Sequence, residues 1–299
     1  MIELLSKPTR FRAYQLGGPG SSFSYFDGTN FTLIEARLTD ISERSLVQEL
    51  YYCGKGNKID ILHITSWDSD HCSPIALRKI LTHLKPDQID IPGYSPTTDI
   101  GKESLSVIHS YINSQRIARH SIELLDCAPE NNRLLPPALQ FEYQNVLFHP
   151  YNYYENCNDN STVMLFRTGS FTLLSLGDVE LPEIAETLIQ NKILNSEVDV
   201  MILAHHGADN GFTTERFVKV INPSIAVSSS NYDSQFEHPK PEIRQILFDN
   251  KVPIYTTKTG DLIIQSIGDH TTQYEVLNLM GNSTEVSSRK TFTTKRAQT

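Results

Sequence analysis

The chain has 299 residues, 39% of them hydrophobic, and a formal net charge of −9, enough apolar content for one continuous core. No run approaches the ~18 apolar residues of a membrane-spanning helix, and Met1 to Lys7 lacks a signal-peptide pattern, so no membrane insertion and a cytoplasmic location are expected. The acidic balance argues against nonspecific duplex DNA binding over the whole surface; it leaves a nuclease open, because divalent ions supply positive charge where phosphate would sit.

Strands come first in the chain. Phe11 to Gln15, Ser22 to Phe26 and Phe31 to Glu35 read as a meander, with an Asp27-Gly28 turn before the third. Asp40 to Tyr52 reads as a helix capped by Asp40 or Ser42 and stopped by Gly54-Lys55-Gly56. Ile59 to Ile64 is an apolar strand. Pro74 to Leu84 and Lys102 to Arg119 read as helices. A turn-rich link at Asn131 to Pro137 precedes strands at Phe141 to His149 and Thr162 to Arg167. Leu181 to Leu194 and Pro241 to Asp249 are expected helices, and Val252 to Ser266 a final hairpin around Thr259-Gly260-Asp261. From Gly281 onward Ser, Thr and basic residues dominate, so 281–299 is expected to be a disordered tail. Cys53, Cys72, Cys127 and Cys157 lack C-x-x-C spacing and read as reduced thiols. No internal repeat is visible.

Four apolar strands hand their C-terminal ends to polar residues. His63-Ile64-Thr65-Ser66-Trp67-Asp68-Ser69-Asp70-His71 places two carboxylates and an imidazole within four residues. Asp70 and His71 can turn toward one cation from a loop leaving a strand, with Asp68 reaching the same side. Such a donor set suits zinc, manganese or iron better than calcium. Phe171 to Asp178 ends in a Gly and a carboxylate, Val198 to Gly207 ends in His205 and His206, and Ala226 to Asn231 leads toward His238-Pro239. Strand ends converging on one edge of a layered fold make a natural site. Plainer roles stand beside these: His63 as a strand or core histidine, Asp178 as a helix N-cap, Trp67 as a space filler and His238 as a turn residue.

In this order the motifs resemble the metallo-β-lactamase fold, and within it the soluble hydrolase domain of the ComEC family of competence DNA-uptake proteins. The matching stretches are Thr65 to His71, Asn158-Asp159-Asn160-Ser161, Leu176-Gly177-Asp178, His205-His206-Gly207-Ala208 and Ser228 to Pro239. The N-terminal Leu16 to Phe23 and Leu33-Ile34-Glu35-Ala36 add to them. The resemblance implies an α/β fold, a four-layer αββα sandwich, in a hydrolase domain over 1–280. It also implies metal ligands Asp68, Asp70, His71, Asp178 and His238, of which Asp70, His71, Asp178 and His238 complete the second-ion site. The departures are Ser66 for the family His, Ser73-Pro74 for Gly-Gly, Gly20-Ser21-Ser22 for Gly-Asp-Ser and Glu35 for an Asp, and the loss at Ser66 falls on the first-ion site. The first-ion site therefore keeps Asp68, the shared Asp178 and one of Asp159 or Asn160, because a serine hydroxyl is a poor ligand.

The leading expectation is a metal-dependent hydrolase, a phosphodiesterase or nuclease acting on nucleic acid or a nucleotide through an activated water. It would use one or two divalent ions, zinc foremost and manganese second. Asp68 or Asp70 would orient the water and His205 or His206 would donate a proton to the leaving oxygen. A local strip of Arg116, Arg119, Lys258 and Lys55 would assist phosphate binding. Two other readings are open: a metal-poor binding or regulatory module that keeps the fold, and a hydrolase of lactone, thioester or amide substrates.

Overall fold

The structure is a computed structural model that describes residues 8–128, 145–148, 153–232 and 236–298. The link expected at Asn131 to Pro137 lies outside the described residues, as do both ends of the strand expected over Phe141 to His149.

Alternating apolar residues make β1 (Arg10–Ala13), β2 (Phe23–Phe26) and β3 (Phe31–Ile34) the expected antiparallel meander. Asp27 Oδ1 accepts the amides of Thr29 and Asn30 in its turn, at 2.8 and 2.7 Å. From β3 the sheet continues in parallel through β4 (Ile61–His63), β5 (Gln88–Ile91) and β6 (Glu123–Asp126). Parallel pairing needs crossovers, which α1 (Asp40–Tyr52), α2 (Pro74–His83) and α3 (Asp99–Ile117) provide. The cap of α1 is Thr39 rather than Asp40 or Ser42. Its hydroxyl accepts Ser42 N at 3.3 Å while Ser42 Oγ accepts Thr39 N at 2.9 Å.

A second sheet holds β7 (Val146–Phe148), β8 (Val163–Phe166), β9 (Leu173–Ser175), β10 (Val200–Ile202), β11 (Ile225–Ser228) and β12 (Ile254–Thr256), in the order β12-β11-β10-β9-β8-β7. Its helices are α4 (Pro182–Leu188), α5 (Lys192–Glu197), α6 (Glu215–Ile221) and α7 (Pro241–Asp249). The single helix expected over Leu181 to Leu194 is split because Asn191 Oδ1 caps a new start, accepting Ile193 N and Leu194 N at 3.0 and 3.3 Å. The expected final hairpin does not form. Instead β12 pairs in parallel with β11, and the chain crosses to the first sheet, where β13 (Leu262–Ile267) pairs with β1.

The stretch from Gly281, expected to be a disordered tail, instead contributes β15 (Val286–Thr293), antiparallel to β14 (Gln273–Leu279) at the edge of the larger sheet. Main-chain hydrogen bonds, rather than apolar burial, carry this strand, which is why its composition hid it. Beyond it, Lys295 N donates to Asp199 Oδ1 at 2.8 Å and Arg296 Nη1 to Arg167 O at 3.0 Å.

Three apolar layers follow from the alternation. Phe11, Phe23, Tyr25, Ile34, Phe166, Leu173, Val200 and Ile225 fill the space between the two sheets. Leu46, Leu50, Leu77, Ile80 and Ile108 bind α1 to α3 to the outer face of the larger sheet. Ile184, Leu194, Phe217, Val218 and Leu247 bind α4 to α7 to the other. The result is the four-layer αββα arrangement, each buried large side chain contributing about 1.5–3 kcal/mol. No helix among the described residues is long and apolar enough to cross a membrane.

Asp199 is the anchor for the chain end. It is fully buried and also accepts Thr172 N at 2.9 Å. Replacement by alanine strands the buried amide of Thr172 and the part-buried amide of Lys295, so Asp199→Ala should cost about 2–5 kcal/mol in urea unfolding and expose the amide of Lys295 to hydrogen exchange. Burial, partly offset by these amides, raises the Asp199 pKa to about 6. The fold therefore holds a proton at Asp199 that the unfolded chain releases near pH 4, so the contribution of Asp199 to stability should fall as pH rises from about 4 to 6; the stability difference between wild type and Asp199→Ala should narrow over that window.

Candidate metal centre

The C-terminal ends of parallel strands from both sheets meet at one edge. The larger sheet brings Glu35 after β3 and the loop Thr65 to His71 after β4; the smaller brings Asp178 after β9, His205 and His206 after β10, and Ser229 after β11. Asp70, His71, Asp178 and His206 offer ligand atoms that all lie within 4.8 Å of one another.

His71 Nε2 lies 2.7 Å from Asp178 Oδ2, while His71 Nδ1 lies 3.0 Å from Glu35 Oε1. Glu35 Oε2 also accepts Thr65 N at 3.1 Å, and Thr65 Oγ1 donates to Glu35 Oε1 at 2.5 Å. His206 repeats the pattern: its Nδ1 is 3.1 Å from the carbonyl of Ser229, and its Nε2 is 3.3 Å from Asp70 Oδ2. Each imidazole is thus held through Nδ1 with Nε2 turned into the group, the arrangement in which an outer partner fixes the tautomer of a metal-ligating histidine. Two imidazole nitrogens and two carboxylates, almost wholly withdrawn from solvent apart from Asp70, fit one divalent cation. Without a cation the same groups neutralise one another. Burial opposes charge on His71, but Asp178 and Glu35 overcome it and raise its pKa well above the ordinary value. Burial works against Asp70 and Asp178 too, yet His206 and His71 respectively hold them below the usual carboxylate range.

Local backbone explains how adjacent histidines diverge. His205, His206 and Gly207 have φ of 43°, 57° and 89°, a left-handed run that throws the two rings to different sides. Gly207 has no freedom to change, since a Cβ there would sit 2.6 Å from Pro239 Cβ. His205 faces Glu180, its Nδ1 in ion-pair reach of Glu180 Oε1 without hydrogen-bond alignment.

The sequence-predicted residues separate into two sets. Asp70, His71 and Asp178 come together, joined by His206, which was expected as a proton donor. Asp68 and His238 lie outside the group. Asp68 accepts from Ser66 Oγ at 3.3 Å, and burial, with Asp178 and Asp70 adding to it against His71, raises its pKa. The ring of His238 is 6.1 Å from that of His206 and nearly parallel to it, at 13°. Its Nδ1 is buried without a hydrogen-bond partner among the described residues. Burial, His206, His205 and Lys240 together depress its pKa to about 4. Asp159 is a cap, its Oδ1 accepting Glu180 N and Leu181 N at 2.8 Å each ahead of α4; that leaves Asp178 free of the capping role. Asn160 is tied to Tyr154, and His63 is a core histidine bonded to Asp90 at 3.1 Å. Where the first-ion His would stand, Ser66 Oγ meets Tyr94 Oη at 3.1 Å and Trp67 Nε1 donates to Tyr94 O at 2.8 Å. Of the strip expected from Arg116, Arg119, Lys258 and Lys55, Lys55 pairs with Asp60 at 2.6 Å and Arg116 lies in the last turn of α3. Glu35 and the Ser229 carbonyl were not foreseen as supports. The carboxylate at the end of Leu33-Ile34-Glu35 was the available signal for the first; a carbonyl leaves none.

No family model matches the chain. It is similar over 85–87% of its length to two solved structures, each with a TM-score of 0.50. One is the metallo-β-lactamase fold protein YhfI of Bacillus subtilis, 11% identical and covered in full. The other is Tm1679, a metal-dependent hydrolase of the β-lactamase superfamily, 10% identical and covered over 98%. ComE operon protein 3 of Bacillus subtilis (strain 168) is 27% identical over 106 residues, 36% of this chain and 13% of that protein. The chain has the metallo-β-lactamase fold, and the last similarity agrees with the ComEC-like order of its motifs.

Because Glu35 holds the ring of His71, Glu35→Gln should weaken zinc affinity by about 10–100-fold in a chelator competition. His63→Gln, in the core away from the group, should leave that affinity within about twofold of wild type.

Proposed function

We propose that this chain is a single-ion metallohydrolase of phosphodiesters in a nucleotide or short nucleic acid. The observation that carries this reading is the set Asp70, His71, Asp178 and His206, with both imidazoles anchored through Nδ1. The donor set favours zinc, with manganese second. One ion is favoured over two because the neighbouring polar groups are engaged: Asp159 caps α4, Glu180 accepts Asn156 and Asn158, and Ser66 turns to Tyr94. The phosphodiester class rests on the ComEC-like resemblance. The net charge of −9 favours small or single-stranded substrates over long duplex.

A divalent ion held by these four residues would supply acidification of a water and polarisation of the substrate oxygen. The remaining work falls to the chain. Asp68, half-buried beside the group, would orient the attacking water and take its proton. His205, its Nδ1 against Glu180, presents Nε2 for proton delivery to the leaving oxygen. The cytoplasmic location expected from the sequence suits such a substrate.

Protein purified without chelator should carry one ion per chain by elemental mass spectrometry, and Asp178→Ala should lose it. The metal-loaded enzyme should cleave bis(4-nitrophenyl) phosphate and dinucleotides, with EDTA abolishing turnover and zinc or manganese restoring it. His205→Ala should lower kcat by roughly 100-fold with metal content unchanged. Turnover of lactones but not phosphodiesters would replace the substrate class. No metal uptake at all would leave the binding-module reading.

A further inference from the structure

Arg37 stands apart from the other shielded arginines. Of the described arginines that are not exposed, Arg10 and Arg12 pair with Glu49, Arg12 also with Asp261, and Arg167 with Glu197. Arg296 donates to the carbonyls of Arg167 and Gly169. Arg37 makes one long hydrogen bond, Nε to the Pro19 carbonyl at 3.4 Å, and among the described residues no carboxylate lies in ion-pair reach of it. That one bond is solvent-exposed, and the guanidinium is otherwise unengaged among the described residues, so its fork is open to an anion from solution.

Its place in the fold says where that anion would sit. Arg37 follows Ala36, whose N–H donates to His71 O at 2.8 Å and whose carbonyl accepts Ser73 N at 3.1 Å, so its backbone is locked to the loop bearing Asp70 and His71. Its stem lies against Gly20. A Cβ on Gly20 would meet Asp70 O at 2.5 Å and Arg37 Nε at 3.2 Å; the missing side chain lets guanidinium and metal loop approach from either side of one residue. Nη1 and Nη2 remain without partners among the described residues.

We propose that Arg37 binds a phosphoryl group lodged at the metal centre, its planar fork receiving two non-bridging oxygens. This rests on the phosphodiester reading above and names the residue that would select for it. A neutral lactone or amide offers no such pair of charged oxygens, so Arg37 distinguishes substrate classes rather than performing the chemistry.

The test uses the full chain loaded with zinc. Isothermal titration with inorganic phosphate should give a Kd at least about tenfold weaker for Arg37→Gln than for wild type. KM for bis(4-nitrophenyl) phosphate should rise similarly with kcat little changed, and Arg37→Lys should recover part of the loss. Metal content should be unchanged in all three, and Arg116→Gln should match wild type. Unchanged phosphate affinity and KM in Arg37→Gln would overturn the assignment while leaving the phosphodiesterase reading standing. Phosphate binding that depends on Arg37 without diester turnover would uphold the assignment and sink that reading. A wild type that binds no phosphate would overturn the assignment.

Discussion

The site hangs on the Glu35 carboxylate. It emerges where β3 ends, at a φ of 73° that a non-glycine residue adopts only at a cost. From there its oxygens take the amide and hydroxyl of Thr65 and the Nδ1 side of His71. One buried acid thereby fixes the first turn after β4 and sets the ring that reaches Asp178 in the other sheet. An aspartate at this position would be one methylene shorter and would have to approach by a different backbone path. The left-handed residue and the longer side chain are two halves of one solution.

A second constraint is charge. Buried carboxylates are tolerated when paired or coordinated, and here every acid around the edge has an assigned partner. Asp159 holds two amides, Glu35 holds Thr65 and His71, and Asp90 holds His63. Asp70 and Asp178 alone share their imidazoles with the central group. On the opposite side the hydroxyls of Ser66 and Tyr94, with Trp67 packed beneath, form a neutral wall. That contrast concentrates the capacity for a cation on one side of the loop. Asp68 nearby keeps a raised pKa because burial, with Asp178 and Asp70, outweighs His71 and the Ser66 hydrogen bond, which lower it.

Much of this was legible in the chain. Strand ends delivering Asp70, His71 and Asp178 could be read from apolar runs that stop at polar residues, and the meander and the helices at Asp40 to Tyr52 and Pro241 to Asp249 follow from periodicity and Pro or cap signals. What was hidden shares a cause: it depends on contacts distant in sequence. Which of His205 and His206 enters the group is decided by a left-handed turn packed on Pro239. The order of motifs put His238 among the ligands but carries no distance, and its ring lies 6.1 Å from that of His206. The crossing of the chain between β12 and β13 looked like a hairpin because local turn residues cannot report that two strands belong to different sheets. β15 was missed because an edge strand that is exposed apart from Phe292 carries no hydrophobic alternation.

The last consequence concerns stability and function together. Asp70 and His71 belong to the larger sheet, and Asp178 and His206 to the smaller, so the four-residue group is assembled only while the two sheets are packed through Phe11, Tyr25, Phe166 and their neighbours. A cation that binds the assembled set and not the unfolded chain must favour that packing by mass action. Conversely, any loss of packing between the sheets dilutes the four donors. Ser229 tightens this coupling, since its carbonyl orients His206 while its hydroxyl donates to Gly20 O at 2.8 Å. Gly20 in turn abuts Asp70 and Arg37. The smaller sheet, the metal loop and the unpaired guanidinium are therefore parts of one mechanical unit, and a ligand gripping Arg37 and the cation together would brace both sheets at once.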